Sequence, residues 1–447
     1  MSTGRAIVLD VIGLEREHVD TDLAPNIADL VGESARADLE VPFPAVTLPV
    51  QTTLATGQSP NNHGDVANGE YDRENDTVAL WERDREGRNR LWESVHDAGL
   101  TTGVFCFQHL IGTNADVALT PSPIEDEDNN ILEMNCWTNP DNFYDLLEAE
   151  YGHFPLHTYW GPGANEQSSA WILDAARESI ERYDPDLLWV YIPHLDYAGL
   201  AHGPSSEELR EAIGVVDGLV GDFLDFLRAD ERWEETAVNI VSEYGFHDVD
   251  TPVFPNRALR ETGLLSVKDD GEGGEEIDLS SSKAFAMVDH QITHVYADES
   301  AVKDAHKALS GLTGVERVLG EDGKTEYGVD HPNAGDLVCV AEPSAWFQYY
   351  WWHDEENAPY YARDMDIHAK PGFDPCELFF GESGLVSLDP SKVGGSHGRT
   401  GVDGFYGLGG PAAPESTPQT VDARAVAPTL CDLLGIDVEM DFEVESL

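Results

Sequence analysis

Short, mostly apolar runs alternate along this chain with longer stretches whose apolar residues recur at helical spacing. AIVLDVIGL (6–14) is rich in β-branched residues and predicts a buried parallel strand. PNIADLVGES (25–34) predicts a helix that starts at proline. LWESVHDAG (91–99) reads as a helix and TTGVFCF (101–107) as a strand. SSAWILDAARESIERYDP (168–185) predicts a helix leading into the strand LLWVYIPHLD (187–196). SEELREAIGVVDGLVGDFLDFLRAD (206–230) predicts a long amphipathic helix, and TAVNIVSEYG (236–245) another buried strand. Strands alternating with helices predict an α/β fold, a parallel sheet sandwiched between helices. The pattern changes after 265. KDDGEGGEE (268–276) predicts an exposed acidic loop, and 284–320 reads as strand, helix, strand. We expect a smaller α+β subdomain over 266–390, inserted between core segments 1–265 and 391–447. VDARAVAPTLCDLLGI (421–436) returns to helix.

Charge narrows the function classes. The 447 residues carry 85 acidic against 26 basic side chains, a formal net charge of -59. Seven of the basic residues are lysine and 19 arginine. The acid is spread along the chain, which predicts adaptation to molar salt, where screening lengths fall to about 3 Å. Such a charge argues against nucleic-acid binding, which needs a basic face. Five widely spaced cysteines, with no C-x-x-C, predict free thiols in a reducing compartment. No signal-peptide pattern and no apolar run of about 18 residues occurs. The expectation is a cytoplasmic protein with no membrane span.

Candidate chemistry starts at VPFPAVTLPVQTTLATGQSPNNHGDVANG (41–69). Thr47 lies between two prolines at the expected start of a helix. Free N–H groups and a partial positive charge at a helix N-terminus suit a phosphate. A hydroxyl there is placed to attack phosphorus, and Asn68 can donate to a phosphate oxygen. The same residues also make an ordinary proline-bracketed helix entry. Three carboxylates fall at strand ends, where open α/β sheets gather their chemistry: Asp10, Asp196 and Glu243.

This stretch resembles the nucleophile region of the alkaline phosphatase superfamily, in the branch of type I phosphodiesterases and nucleotide pyrophosphatases. The pattern there runs roughly P-S-x-T-F-P-N-H, then T-G-x-x-P-x-x-H-G-x-x-x-N. The chain keeps Pro44, Thr47, Pro49, Thr56, Gly57, Pro60, His63, Gly64 and Asn68, and departs at Val50 and Gln51. The resemblance covers 1–265 and about 392–436. It implies that Thr47 is the nucleophile and that Asn68 binds phosphate. It also implies divalent metal: His397 in GGSHGRTG matches a late zinc histidine, and Asp196 in HLDYAGLAHGP a metal aspartate.

The other ligands depart from that pattern. Ile12 stands where the first-strand aspartate belongs, with Asp10 one pleat back. The family's S-D-H-G reads SEYG, so Glu243 replaces Asp and Tyr244 replaces His. A further histidine falls on Leu200, two places from His202. Of six expected ligands, two survive and Glu243 substitutes for a third. Replacement ligands on paper are His194, His247, Asp289, His290, His294, Asp366 and His368. The implied cofactor is one or two divalent ions, zinc by resemblance, with manganese as the alternative. Arg399 and Lys370 are candidate phosphate-binding cations. Tyr349, Tyr350, Trp351, Trp352, Tyr360 and Tyr361 form either a stacking pocket or a packing face. The implied activity is metal-dependent hydrolysis of a small phosphodiester or phosphomonoester through a phospho-threonine. The alternative is a degenerate relative that binds a phosphorylated ligand or partner without turnover.

Overall fold

The computed structural model describes residues 4–80, 89–126, 130–364, 370–371, 373, 379–382, 384 and 386–447. Its main sheet has nine strands. Five central ones run parallel, in the spatial order 236–241, 5–11, 187–192, 102–105 and 117–121. Two antiparallel neighbours, Gly404–Gly409 and Cys136–Asn139, flank this centre. The sheet is therefore mixed at its margins, and the predicted parallel arrangement holds for its centre. All seven residues of Arg5–Val11 are buried. Successive side chains point to opposite faces, so both faces are covered. That is why the strand reads as an apolar run, interrupted by Asp10.

The helices cover the sheet as their apolar spacing dictates. Glu166–Tyr183 and Glu207–Ala229 pack on each other, and Glu207–Ala229 also meets Pro25–Val31. Val426–Leu434 packs on the first strand and on Thr47–Thr56. Among the described residues, no helix is long and apolar enough to cross a membrane. Cys106, Cys136, Cys339 and Cys431 are buried free thiols.

A second, four-stranded antiparallel sheet takes the order 284–289, 292–297, 337–341, 315–319. The sequence reading of AFAMVDHQITHVYAD as one strand is corrected here: it is a hairpin, Ala284–Asp289 paired with Ile292–Ala297. His290 and Gln291 form its two-residue turn, with His290 at φ +58. Such turns normally signal themselves with glycine or asparagine, which is absent here. The aromatic cluster is core: Tyr349, Tyr350, Trp351, Trp352 and Tyr361 are all buried against this sheet, while Tyr360 is exposed.

This second unit grips the loop that holds the candidate nucleophile. Phe43, Val46 and Ala67 pack against Ile292, Val338 and Val340. Asn333 Nδ2 donates to the Gly64 carbonyl (2.9 Å), and His294 Nε2 to the Val66 carbonyl (2.9 Å).

Candidate active site

Thr47 is the first residue of the helix Thr47–Thr56 and is buried. Pro49 fits the first turn, where its missing N–H would have had no helical partner. The N–H of Leu48 donates to Asn68 Oδ1 (2.8 Å), and that of Val50 to the Val46 carbonyl (3.1 Å). Among the described residues, the Thr47 N–H is the first-turn donor left uncommitted. Thr47 and Asn68 are therefore brought together as the sequence predicts.

The Thr47 side chain is a hydrogen-bonding neighbour of both Glu243 and Tyr244. Glu243 Oε1 accepts from Gln51 Nε2 (2.8 Å), whose own Oε1 accepts the Gln108 N–H (2.8 Å). Gln51, noted in the sequence only as a departure, is thus a support for Glu243. Gln108 is presented by a segment in which Cys106 and His109 hold φ of 62° and 56°.

Asp10 meets Glu243 across the sheet. Asp10 sits in register with Val241, two residues before Glu243. Glu243 reaches back over that step with one more methylene than the aspartate it replaces. The two carboxyls lie near enough for each to shift the titration of the other. Both Asp10 oxygens and Glu243 Oε2 are buried with no hydrogen-bond partner among the described residues. Burial pushes Asp10 up to about 7, and burial with the Asp10 charge raises Glu243 well above the carboxylate range. Two buried carboxyls this close need a shared proton or a cation between them.

This pair gives a pH prediction. In its folded place Asp10 titrates near 7 against an ordinary 3.8. The native state therefore holds this proton more tightly than the unfolded chain. The resulting stability is complete below about pH 4 and is lost as pH rises through 7. In chelator, Asp10→Asn should become more stabilising relative to wild type as pH rises from 5 to 8. The gap should widen by at most about 1.4 kcal/mol per pH unit. Thermal melts of both proteins check it; a gap constant with pH would refute the assignment.

A second cluster surrounds His397. Its ring is sandwiched between Tyr244 (centroids 3.5 Å apart, planes 6° apart) and His290 (4.0 Å, 29°). His397 Nδ1 donates to the Ala45 carbonyl (2.9 Å), which leaves Nε2 as the lone-pair nitrogen. Burial lowers its pKa well below the ordinary histidine value, so the ring is neutral. Tyr244 does not act as a histidine substitute; its hydroxyl donates to Asp196 Oδ1 (3.2 Å). Burial pushes Asp196 up to about 6.

Backbone contacts bring these parts together. Ala45 N–H donates to the Gly398 carbonyl (2.9 Å) and Gln291 N–H to that of His397 (2.8 Å). The loop before His397 lies directly on the Asp196 helix: a Cβ at Gly395 would sit 2.2 Å from the Gly199 carbonyl. The hairpin tip is equally close. Asp289 Oδ2 accepts the Asn68 N–H (2.8 Å), and Oδ1 accepts from Asn68 Nδ2 (3.3 Å) and from His290 Nδ1 (3.0 Å).

Several candidates fall elsewhere. His202 ends a regular helix, Leu195–His202. Six residues from Asp196 it is about 9 Å along the axis and turned about 240°, so it does not replace the histidine lost at Leu200. His294 is fully committed, since its Nδ1 accepts the Gly335 N–H (3.0 Å) while Nε2 holds Val66. His194 turns toward Asn165 and Glu166. His247 pairs with Ser396 beside the His397 loop, and burial lowers it to about 4. Arg399, expected on phosphate, donates to Glu316 (2.5 Å). Lys370 donates to the Asp364 carbonyl (2.8 Å). Asp366 and His368 lie outside the described residues. Among the described residues, no three His, Cys, Asp or Glu side chains converge as a metal site.

A family model described as type I phosphodiesterase/nucleotide pyrophosphatase matches residues 6–374. An uncharacterized pyrophosphatase/phosphodiesterase of Schizosaccharomyces pombe is 25% identical over 264 residues, 57% of this chain and 46% of that protein. Ectonucleotide pyrophosphatase/phosphodiesterase family member 7 of Rattus norvegicus is 24% identical over 314 residues, 66% of this chain and 64% of that protein. The chain thus spans about half to two thirds of the length of these curated relatives. Among solved structures, an inactive variant of murine ectonucleotide pyrophosphatase/phosphodiesterase 5 in complex with AMP matches with a TM-score of 0.64. Its identity is 15%, over 99% of this chain and 98% of that one. The human counterpart gives 0.62 at 15%, covering 97% and 96%.

Proposed function

The chain belongs to the type I phosphodiesterase/nucleotide pyrophosphatase family, and from that premise we propose that it hydrolyses a small phosphodiester or phosphomonoester through Thr47. The observation that carries this reading is the convergence of Thr47, Asn68 and Glu243 at one helix N-terminus. The Thr47 N–H and the Asn68 amide are the donors for a non-bridging phosphoryl oxygen, with the helix dipole behind them. Asp10 and Glu243 share one proton, so one carboxyl of the pair is ionised and can accept the Thr47 proton as the oxygen attacks phosphorus. The oxygen–phosphorus bond to the leaving group breaks as the threonine bond forms. Water then clears the phospho-threonine.

The family is generally dependent on divalent metal. The unpartnered oxygens of Asp10 and Glu243 beside Thr47 suit a cation. Asp196 and the lone-pair nitrogen of His397 are a second donor set. A bound metal would supply Lewis-acid stabilisation of the attacking and leaving oxygens. An all-oxygen pair favours a hard ion such as manganese or magnesium, and a set with imidazole suits zinc.

The test uses protein purified in KCl at molar concentration. Chelation should abolish turnover of bis-aryl phosphate, and one added divalent ion should restore it. Quenched reactions should carry an aryl phosphoryl group on Thr47, one aryl having left and one remaining, read by peptide mass spectrometry. Turnover that persists in chelator, with Thr47 unmodified, would overturn the reading. A folded protein that turns over no aryl phosphate with any ion would support the degenerate alternative.

A further inference from the structure

We propose that Asp289 is the positioning residue that sets the orientation of the Asn68 amide, a role that rests on the proposed phosphoryl chemistry. Asp289 ends a strand of the second sheet, 221 residues from Asn68, and is 2% exposed. It accepts from both the backbone N–H and the side-chain Nδ2 of Asn68. Opposite it, the Leu48 N–H donates to Asn68 Oδ1.

An amide can be turned end for end with little change of shape. Here the two neighbours are of opposite kind. An ionised carboxylate only accepts, and a backbone N–H only donates. Flipping Asn68 would set its oxygen against the Asp289 carboxylate and its NH₂ against the Leu48 N–H. Both contacts would be repulsive in a buried place. The carboxylate therefore fixes which edge of Asn68 carries the donors beside Thr47. An asparagine at 289 could itself turn to suit either orientation, and the selection would be lost.

The hairpin tip is built to hold this carboxylate still. Phe347 N–H donates to the His290 carbonyl (2.8 Å), Ala341 N–H to that of Gln291 (3.0 Å), and Gln291 N–H to that of His397 (2.8 Å). The His290 Nδ1–H on Asp289 Oδ1 completes the restraint. A negative group beside an anion site is costly unless it acts on a donor, and Asn68 is one of the two donors it touches.

The experiment is a double-mutant cycle on the full chain, with Asp289→Asn and Asn68→Ala, alone and together. Turnover of bis-aryl phosphate and binding of inorganic phosphate by calorimetry are the readouts. Asp289→Asn should lower kcat by at least about 10-fold with less effect on KM. In the Asn68→Ala background the same change should cost nothing further, because both act through one amide. A wild-type rate in Asp289→Asn, or losses that multiply in the double variant, would overturn the proposal. If Asp289→Asn does not fold, Asp289→Glu displaces the same charge by one methylene and enters the same cycle. If the wild type turns over nothing, phosphate affinity decides. Loss of affinity in Asp289→Asn but not in the Asn68→Ala background would keep this proposal while the hydrolase reading falls. Unchanged affinity would overturn both.

Discussion

Thr47→Ala is expected to lower turnover of bis-aryl phosphate by at least about 10⁴-fold, the scale seen when a covalent nucleophile is removed. Alanine keeps the helix start but has no oxygen to attack phosphorus. The Thr47 N–H and Asn68 remain as donors, so substrate binding should change far less than kcat. Thr47→Ser keeps the hydroxyl and should retain much of the rate. It loses the methyl that restricts χ1, so the oxygen beside Glu243 and Tyr244 is less well held. Steady-state kinetics with melting controls make the comparison. An unchanged rate in Thr47→Ala would exclude the covalent route and leave direct attack by water.

The second large effect concerns the whole molecule. With 85 acidic and 26 basic residues, most carboxylates have no cation to pair with. Their mutual repulsion opposes the compact state and is screened over about 10 Å at 0.1 M salt but about 3 Å at 1 M. The melting midpoint in 3 M KCl should exceed that in 0.1 M KCl by about 10 °C or more, several kcal/mol for a chain of this size. Near pH 4, where many of these groups take up protons, the dependence should shrink. Calorimetry at the two salt concentrations and two pH values decides it. A midpoint independent of KCl would mean that the acidic surface is not a salt adaptation.

The core was legible because its strands are buried on both faces and its helices on one. The strand at 187–192 and the helix at 207–229 lie within a few residues of their predicted limits. Thr47, Asn68, Asp196 and His397 could be picked out as candidates because each sits in a string of fixed spacing. Asp10 was visible but looked one pleat too early; the longer reach of Glu243, which no spacing rule records, closes that gap. The hairpin at 284–297 was read as a single strand, since β-pattern continues through a turn with no glycine or proline. That error hid the most informative contact, because Asp289 and His290 enter the site only when the turn brings the tip to Asn68. His202, by contrast, lay near a familiar motif, but the regular helix carries it to another face.

The distance along the chain between these partners bears on how the protein is made. Thr47 and Asn68 emerge from the ribosome first. Asp289 follows about two hundred residues later, and His397 about a hundred after that. At about 5–20 residues per second, the proposed nucleophile exists for many seconds before the groups proposed to orient it. The loop at 41–69 packs on strands not yet translated. On the proposed mechanism, a nascent or prematurely terminated chain would have the threonine without the groups that orient it, and would be inert toward the cell's phosphate esters. The appearance of activity then reports that both halves of the polypeptide have been made and have found each other.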